Sequence, residues 1–424
     1  VNRVLHAWLE GQYVGEFAVD GSGRITLHYD DAAPDTPVSL SLPRDGKISD
    51  RAPGRFLDNL LPDRPEARDW MRRVTGARST STFDLLEEVG GDVAGGLVLL
   101  PAPELPQPAA TALLLADDDA IAFRISSLHD DPDRWWERSD PARFSLAGTQ
   151  PKFALANVAG TWFWPNASVP STHIIKPAFS ANRGAEHAEV AAERLAADIG
   201  IVAPRADVLD VVGEQAYLVE RFDRAPQPSG FAARLHMEDL AQALGRSGAD
   251  KYRIGAKPIL QLLLQHDASG TAAHDFLRQA AFNAAIGNAD AHAKNYSVLL
   301  RPAGVELAPL YDALPTRLWP GYDEQLAMRI GGAQYTQELT LDHWSKLADQ
   351  SGLDVDRARV EVQRVYDDVA DRIDTAWNDL DDDQATRMRG LVAEQTAKIA
   401  GPRATRTTPG TVGPAGIEPT TSTV

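Results

Sequence analysis

The chain has 424 residues, enough for two to three domains or one large two-lobed enzyme. Apolar residues make up 43% and charged residues 24%, an ordinary globular composition with material for a sizeable core. The absence of cysteine excludes disulfides, thiol nucleophiles and cysteine-based zinc sites, and the net charge of −18 argues against a surface given over to nucleic acid.

The opening stretch, VNRVLHAWLEGQYVGEF, lacks the apolar centre of a signal peptide. It reads as a strand, a tight EGQ turn and a second strand. The lack of cysteine makes cytosol the expected compartment, and no apolar run approaches the roughly 20 residues needed to span a bilayer, so no membrane partner is expected. RITLHY and PVSLSLP alternate in period two and read as strands. RFLDNLLPDRPEARDWMRRV has helical spacing, and EEVGGDVAGGLVLLP reads as a Gly-rich strand pair. Arginines crowd residues 51–78, but interleaved acids make that segment a solvated amphipathic surface. Residues 105–120 are rich in Pro and Ala and read as a linker after a first α+β module over 1–104.

Beyond the linker, Phe153–Ala156 and Thr161–Trp164 flank the turn NVAG as a hairpin. Thr172–Lys176 is a short strand stopped by Pro177. After Gly184, Ala188, Ala191, Leu195 and Ile199 recur at helix spacing. Residues 205–224 return to strand and end in YLVERFDR, read as an edge strand. From about 236 the chain is mostly helical, interrupted by one strand pair near 296–310. Val355, Ala358, Val362, Val365 and Val369 mark one face of an amphipathic helix, with acids at 379–383 after it. The last segment, 401–424, is rich in Thr, Pro and Gly and is expected to be disordered.

The densest chemistry lies in FNAAIGNADAHAKNYSVLL and RPAGVELAPLYDALPT. Asp290 and Asn295 stand five apart, the spacing at which protein kinases place a proton acceptor and a magnesium-binding amide. A hairpin over RPAG would return Asp312 beside Asn295, as a second oxygen ligand for Mg²⁺. The same residue types cap helices and make turns, and spacing alone leaves both readings open. His292 lies between them. No pair of histidines has zinc-ligand spacing. Upstream, HIIKP offers Lys176 at a strand end with Glu189 on the next helix as its partner, the arrangement of a kinase Lys–Glu pair. SLAGTQPKFAL offers Ser145, Gly148 and backbone donors for phosphates, without a G-x-G-x-x-G pattern. YLVERFDR offers Glu220, Arg221 and Phe222 as an adenine hinge.

Together SLAGTQPKFAL, HIIKP, LVERFDR, RLHMEDLAQALG, FNAAIGNADAHAKNYSVLL and LAPLYDAL closely resemble the HipA family of type II toxin–antitoxin kinases. FLDNLLPD and GGDVAGGLVLLP resemble that family's N-terminal subdomain. The resemblance covers about residues 3–395. It implies an α+β fold like an atypical two-lobed protein kinase, with a mixed α/β N-terminal part and an all-helical C-terminal lobe. The expected divisions are a kinase N-lobe-like region over 121–224 and a C-terminal lobe over 225–400. The resemblance implies ATP and Mg²⁺ as cofactors, with Asp290 as proton acceptor, Asn295 and Asp312 as metal ligands and Lys176 on the phosphates. It makes Ala147, Gly148, Thr149, Gln150, Pro151 and Lys152 the phosphate loop, with Glu220 to Phe222 as the hinge. His292, Ala293, Lys294, Asn295, Tyr311 and Asp312 would line the nucleotide. Ser145 corresponds to an autophosphorylated serine whose modification inactivates. The implied partners are a small helix-turn-helix antitoxin that carries most of the DNA contact, and a protein substrate, typically an aminoacyl-tRNA synthetase. Pro151 departs from the charged residue other members often carry there. A pseudokinase corepressor and a small-molecule or lipid kinase are the alternative readings.

Overall fold

A computed structural model describes residues 3–108, 112–137, 143–179, 182–322, 324–378 and 380–399. The expected disordered tail (401–424), part of the expected linker (109–111) and part of the acidic run (379) lie outside the described residues.

The N-terminal part is an antiparallel sheet of β1 (Arg3–Leu9), β2 (Gln12–Val19), β3 (Ile25–Tyr29) and β4 (Leu97–Leu100), in the order β3-β2-β1-β4. The expected EGQ turn joins β1 to β2, with Glu10 and Gly11 both in the left-handed region (φ 50° and 86°), as a two-residue primed hairpin turn requires. Helices α1 (Ala52–Asp58), α2 (Pro65–Thr75) and α3 (Thr82–Val89) cover the sheet. Pro65 starts α2 and Gly76, at φ 82°, stops it, the usual Pro-in, Gly-out asymmetry.

Two sequence readings fail here. PVSLSLP forms turns, with only an isolated bridge between Ser39 and Leu42. Its serines bond locally, Ser41 N donating to Ser39 Oγ at 3.0 Å, which offers the backbone an alternative to a ladder. EEVGGDVAGGLVLLP gives one strand, not a pair: EEV closes α3, and residues 90–96 form a compact loop before β4. Gly95 there has φ 77°, and a Cβ on it would lie 2.7 Å from Met237 O, so the loop packs too closely to run as a strand.

After α4 (Asp118–Asp130) comes a second antiparallel sheet. It contains β5 (Phe153–Val158), β6 (Thr161–Phe163), β7 (His173–Pro177), β8 (Ala206–Val211) and β9 (Glu214–Glu220), in the order β6-β5-β7-β9-β8. The hairpin over NVAG, the strand through Lys176 and the helix after Gly184, α5 (Ala185–Asp198), all form as read. β9 is an internal strand between β7 and β8 rather than an edge. The short strands β10 (Arg224–Ala225) and β11 (Ala233–Arg234) follow.

The C-terminal part holds α6 (Leu240–Ala243), α7 (Ala256–His266), α8 (Thr271–Ala285), α9 (Leu341–Ser351), α10 (Val355–Ala376) and α11 (Asp382–Ala397). It is not all-helical. The expected hairpin, β13 (Ser297–Arg301) and β14 (Gly304–Leu307), gains a third strand, β12 (Met237–Asp239), and β15 (Gln325–Ile330) pairs with β16 (Ala333–Tyr335). A two-stranded hairpin leaves open edges, and β12 pairs with the one along β13.

One core joins the N-terminal sheet and its helices to Phe153, Leu155 and Ile175 of the second sheet. Another unites the C-terminal helices with the apolar face of α5 (Ala188, Ala191, Leu195). A cleft lies between them.

Candidate active site

The cleft is a cavity of about 570 Å³. Strand β7 builds its first feature by alternation: Ile175 enters the N-terminal core, so Lys176 faces the opposite side, towards α5. Lys176 Nζ donates to Glu189 Oε1 at 2.6 Å and to Asp312 Oδ1 at 2.7 Å, and lies 5.0 Å from the centre of the Tyr217 ring. Burial favours the neutral amine, but the Asp312 and Glu189 carboxylates override it and hold the ammonium well above the ordinary lysine range. The Lys176–Glu189 pair is the one expected from sequence; the link to Asp312 was not anticipated. Behind it, Tyr217 Oη donates to buried Glu193 at 2.7 Å, one helical turn beyond Glu189.

Asp312 has φ 57°, one of few non-glycine residues in the left-handed region among those described. Such a conformation persists only where the surroundings fix it. Asn288 Nδ2 does so, donating to Asp312 O at 3.2 Å and to Asn283 Oδ1 at 2.9 Å. The Asp312 carboxylate stays 39% open towards the cavity. Although burial opposes it, Lys176 holds that carboxyl well below the usual range.

The segment 288–295 is a tight turn followed by a short 3₁₀ turn, Ala293–Asn295. Asp290 N donates to Asn288 Oδ1 (3.2 Å), and Asn295 Nδ2 donates to Asp290 O (3.3 Å), which ties the two expected residues together. Burial raises the Asp290 pKa, opposed by a hydrogen bond from the Tyr252 hydroxyl. His292 is buried, lowered to about 4 by burial and therefore neutral, and its Nδ1 has no partner among the described residues. Its ring meets Tyr252 edge-on at 5.2 Å. Tyr311 is held by its hydroxyl, which donates to Lys294 O at 2.8 Å.

Residues Ala147 to Lys152 line the cavity as a loop leading into β5. Gly148 has φ 103°, and a Cβ there would stand 2.9 Å from Lys152 Nζ. Lys152 Nζ donates to Ala147 O at 2.9 Å; burial, then the charge of Lys176, lowers its pKa to about 8. Ser145 lies fully buried, its Oγ donating to Leu60 O at 2.7 Å. At the expected hinge, Glu220, Arg221 and Phe222 all line the cavity, and the Phe222 and Tyr311 rings stand 5.4 Å apart. The Arg221 guanidinium, however, is committed to Asp223 (2.6 Å), Ser171 (2.9 Å) and Val93 O (3.0 Å).

Sequence reading missed Asp63. It lies far upstream, between α1 and α2, yet its carboxylate takes Lys294 at 2.7 Å and Lys251 at 3.2 Å. Its only sequence signal was the NLLPD motif. Lys251 and Tyr252 were missed as well, because they lie on a short 3₁₀ segment, Gly248–Arg253, without periodicity. Several of the crowded arginines pair with acids, among them Arg64 with Asp133, Arg68 with Asp58 and Arg78 with Glu87. Among the described residues no group of three or more His, Asp or Glu could hold a metal ion. Asn295 and Asp312 offer one amide and one carboxylate oxygen to the same cavity, a donor set suited to Mg²⁺, which keeps most of its other ligands from water and phosphate.

Residues 5–100 match the profile of the HipA N-terminal domain, and residues 144–377 that of the HipA-like C-terminal domain. The chain is a member of the HipA family. Among its relatives is the Sinorhizobium fredii protein Y4mE, 33% identical over 90% of this chain and 93% of its own. The serine/threonine-protein kinase toxin HipA of Shewanella oneidensis is 30% identical over 75% of this chain and 76% of its own. A solved structure of the Shewanella oneidensis toxin–antitoxin complex of HipA, HipB and operator DNA superposes with a TM-score of 0.78 at 27% identity, covering 93% of this chain and 96% of that one. The HipA family thus supplies both the N-terminal sheet with its helices and the walls of the cleft. No helix among the described residues is long and apolar enough to cross a membrane.

Proposed function

We propose that the cleft transfers the γ-phosphoryl group of ATP to a Ser or Thr hydroxyl of a protein, as the kinase toxin of a toxin–antitoxin pair. The observation that carries this reading is the bridge Glu189–Lys176–Asp312, at 2.6 and 2.7 Å. It joins a lysine on the third strand of its sheet, a glutamate on the following helix and the metal-side carboxylate, the set a kinase must have in place at once. On this reading the chain has two lobes, an upper one around the β5–β9 sheet, with the hinge at Glu220–Phe222, and a lower, mainly helical one.

Lys176 and Lys152 would neutralise phosphate oxygens, and the flat base would lie by Phe222 and Tyr311. Asp290 would accept the proton of the acceptor hydroxyl as its oxygen bonds to the γ-phosphorus. The bond from that phosphorus to the β,γ-bridging oxygen breaks, and ADP leaves. Magnesium held by Asn295 and Asp312 would screen the phosphate charge that develops. Neutral His292 presents an unpaired nitrogen at the same wall and suits a hydrogen bond to the nucleotide.

Ser145 fits an inactivating autophosphorylation site. Its hydroxyl is buried against Leu60 O, so the loop must leave for modification, and a phosphorylated Ser145 could not return to that place. A HipB-like antitoxin and, through it, DNA are the proposed partners, and an aminoacyl-tRNA synthetase is the proposed class of target. Neither the pseudokinase nor the lipid-kinase alternative is favoured by a specific observation.

The test uses purified protein with Mg²⁺ and γ-labelled ATP. Label should appear on Ser145 or on an added synthetase, and Asp290→Gln should lower transfer about 10²–10⁴-fold, the range of a lost general base. Asp290→Gln should still bind ATP. A wild-type protein that binds ATP but labels no protein would overturn the reading.

A further inference from the structure

The turn Asn59–Asp63, between α1 and α2, belongs to the N-terminal domain, yet it reaches three parts of the cleft. Leu60 O accepts from Ser145 Oγ at 2.7 Å, and Asp63 N donates to Gly148 O at 3.0 Å, so the N-terminal side of the phosphate loop is held at two points by one five-residue segment. The Asp63 carboxylate then takes Lys294 of the catalytic turn at 2.7 Å and Lys251 at 3.2 Å. The turn is itself fixed, by Asn59 Nδ2 donating to Arg246 O at 3.0 Å.

We propose that Asn59–Asp63 is a latch that makes the phosphate loop and the catalytic turn one unit, with Asp63 as a positioning residue for phosphoryl transfer. Its effect on rate rests on the reading of the cleft as a kinase site; the coupling of the two loops does not. The argument is geometric. Asp63 holds Gly148 through its backbone and Lys294 through its side chain, so neither grip can shift without the other. The Lys294 and Lys251 side chains are only 4% and 10% exposed and share this one carboxylate. Two buried ammoniums without their counter-ion repel each other and seek water. When the phosphate loop leaves, as modification of Ser145 requires, the turn loses its Ser145 and Gly148 contacts. Lys294 then loses its fixed partner. Departure of the loop therefore loosens the catalytic turn as well as emptying the phosphate site, and the N-terminal domain becomes a working part of the kinase.

The test is hydrogen exchange on the full chain without nucleotide, comparing wild type, Asp63→Asn and Asp63→Glu. Asp63→Asn should speed exchange in both 145–152 and 292–296 by at least about tenfold, the scale of one charge-assisted hydrogen bond, while α10 stays unchanged. Asp63→Glu should restore part of the protection. With Mg²⁺ and ATP, Asp63→Asn should lower kcat about tenfold and change KM for ATP much less, and Asp63→Glu should recover part of that loss. Faster exchange in only one loop, an even rise over the whole chain, or no change would each overturn the latch. If wild type transfers no phosphate, the kinase reading falls, and the exchange comparison still decides the coupling. Should Asp63→Asn not fold, Asp63→Asn/Lys251→Met removes a carboxylate and an ammonium together and is judged by the same exchange pattern.

Discussion

At the scale of single residues, Asp312 carries two demands at once. Its backbone takes φ 57° and its carboxylate takes Lys176 at 2.7 Å. Asn accepts the left-handed region more readily than Ala, which pays about 1–2 kcal/mol there. Asp312→Asn and Asp312→Ala should therefore both lose phosphate transfer, because both lose the charge. Only Asp312→Ala should carry the additional backbone strain, with a denaturation midpoint below that of Asp312→Asn. Equal midpoints would show that the backbone at 312 is unstrained. Proximity was legible at short spacing: Asp290 and Asn295 lie five apart and are joined in the structure, though spacing alone left their role open, and Lys176 and Glu189 sit on consecutive elements. The bond from Lys176 to Asp312 spans 136 residues and the bond from Asp63 to Lys294 spans 231, and no local pattern announces either.

At the scale of elements, pH acts on the proposed phosphate loop through Lys152. Lys152 is lowered to about 8 by burial and by Lys176, and its ammonium already reaches Ala147 O at 2.9 Å. The sign is settled by which form meets phosphate. The charged form predominates below about 8 and is the form that pairs with a polyanion, so ATP affinity should fall as pH rises through that value. Binding should in turn raise the Lys152 pKa and draw in a proton near pH 8. Calorimetry of ATP binding in buffers of different ionisation enthalpy reads that proton directly, and Lys152→Met should abolish it. Proton uptake that survives in Lys152→Met would assign the linkage to another group. The elements themselves were legible where apolar spacing is regular, as in α5 with Ala188, Ala191 and Leu195. They were not legible where small polar residues or glycines outweigh period. Ser39 and Ser41 bond to each other across PVSLSLP, and GGDVAGG folds as a compact loop that alternation cannot describe.

At the scale of the whole molecule, residues 105–120 read from sequence as a linker after an N-terminal module, and the core packs that module against the second sheet: Leu5, Phe17 and Leu86 share one apolar cluster with Phe153, Leu155 and Ile175. The N-terminal domain also reaches the cleft on two sides, through Asp63 at the loop Ala147–Lys152 and through the loop 90–96 behind Glu220–Phe222. In the second contact, Asp92 is fully buried. It accepts from Arg224 at 3.0 Å and from Ser171 Oγ at 2.5 Å, with Arg234 at 3.5 Å. Asp223 closes the network, taking Arg221 at 2.6 Å and Gly95 N at 2.6 Å. A buried ion pair adds little by itself against well-packed apolar groups, but removing one partner leaves the other charge without compensation, at a cost of about 3–5 kcal/mol. Asp92→Asn keeps the shape and removes the charge that balances Arg224 and Arg234. It should lower stability by about that amount, and the loss should be felt at the hinge, because Arg221 and Arg224 flank Phe222. Denaturant unfolding measures the first part, and nucleotide affinity measures the second. A stable Asp92→Asn protein with normal ATP affinity would mean that packing alone joins the N-terminal domain to the hinge, leaving the charges without a structural role. The expected result is a protein whose midpoint and ATP affinity fall together, because the same arginines hold the domain and the hinge.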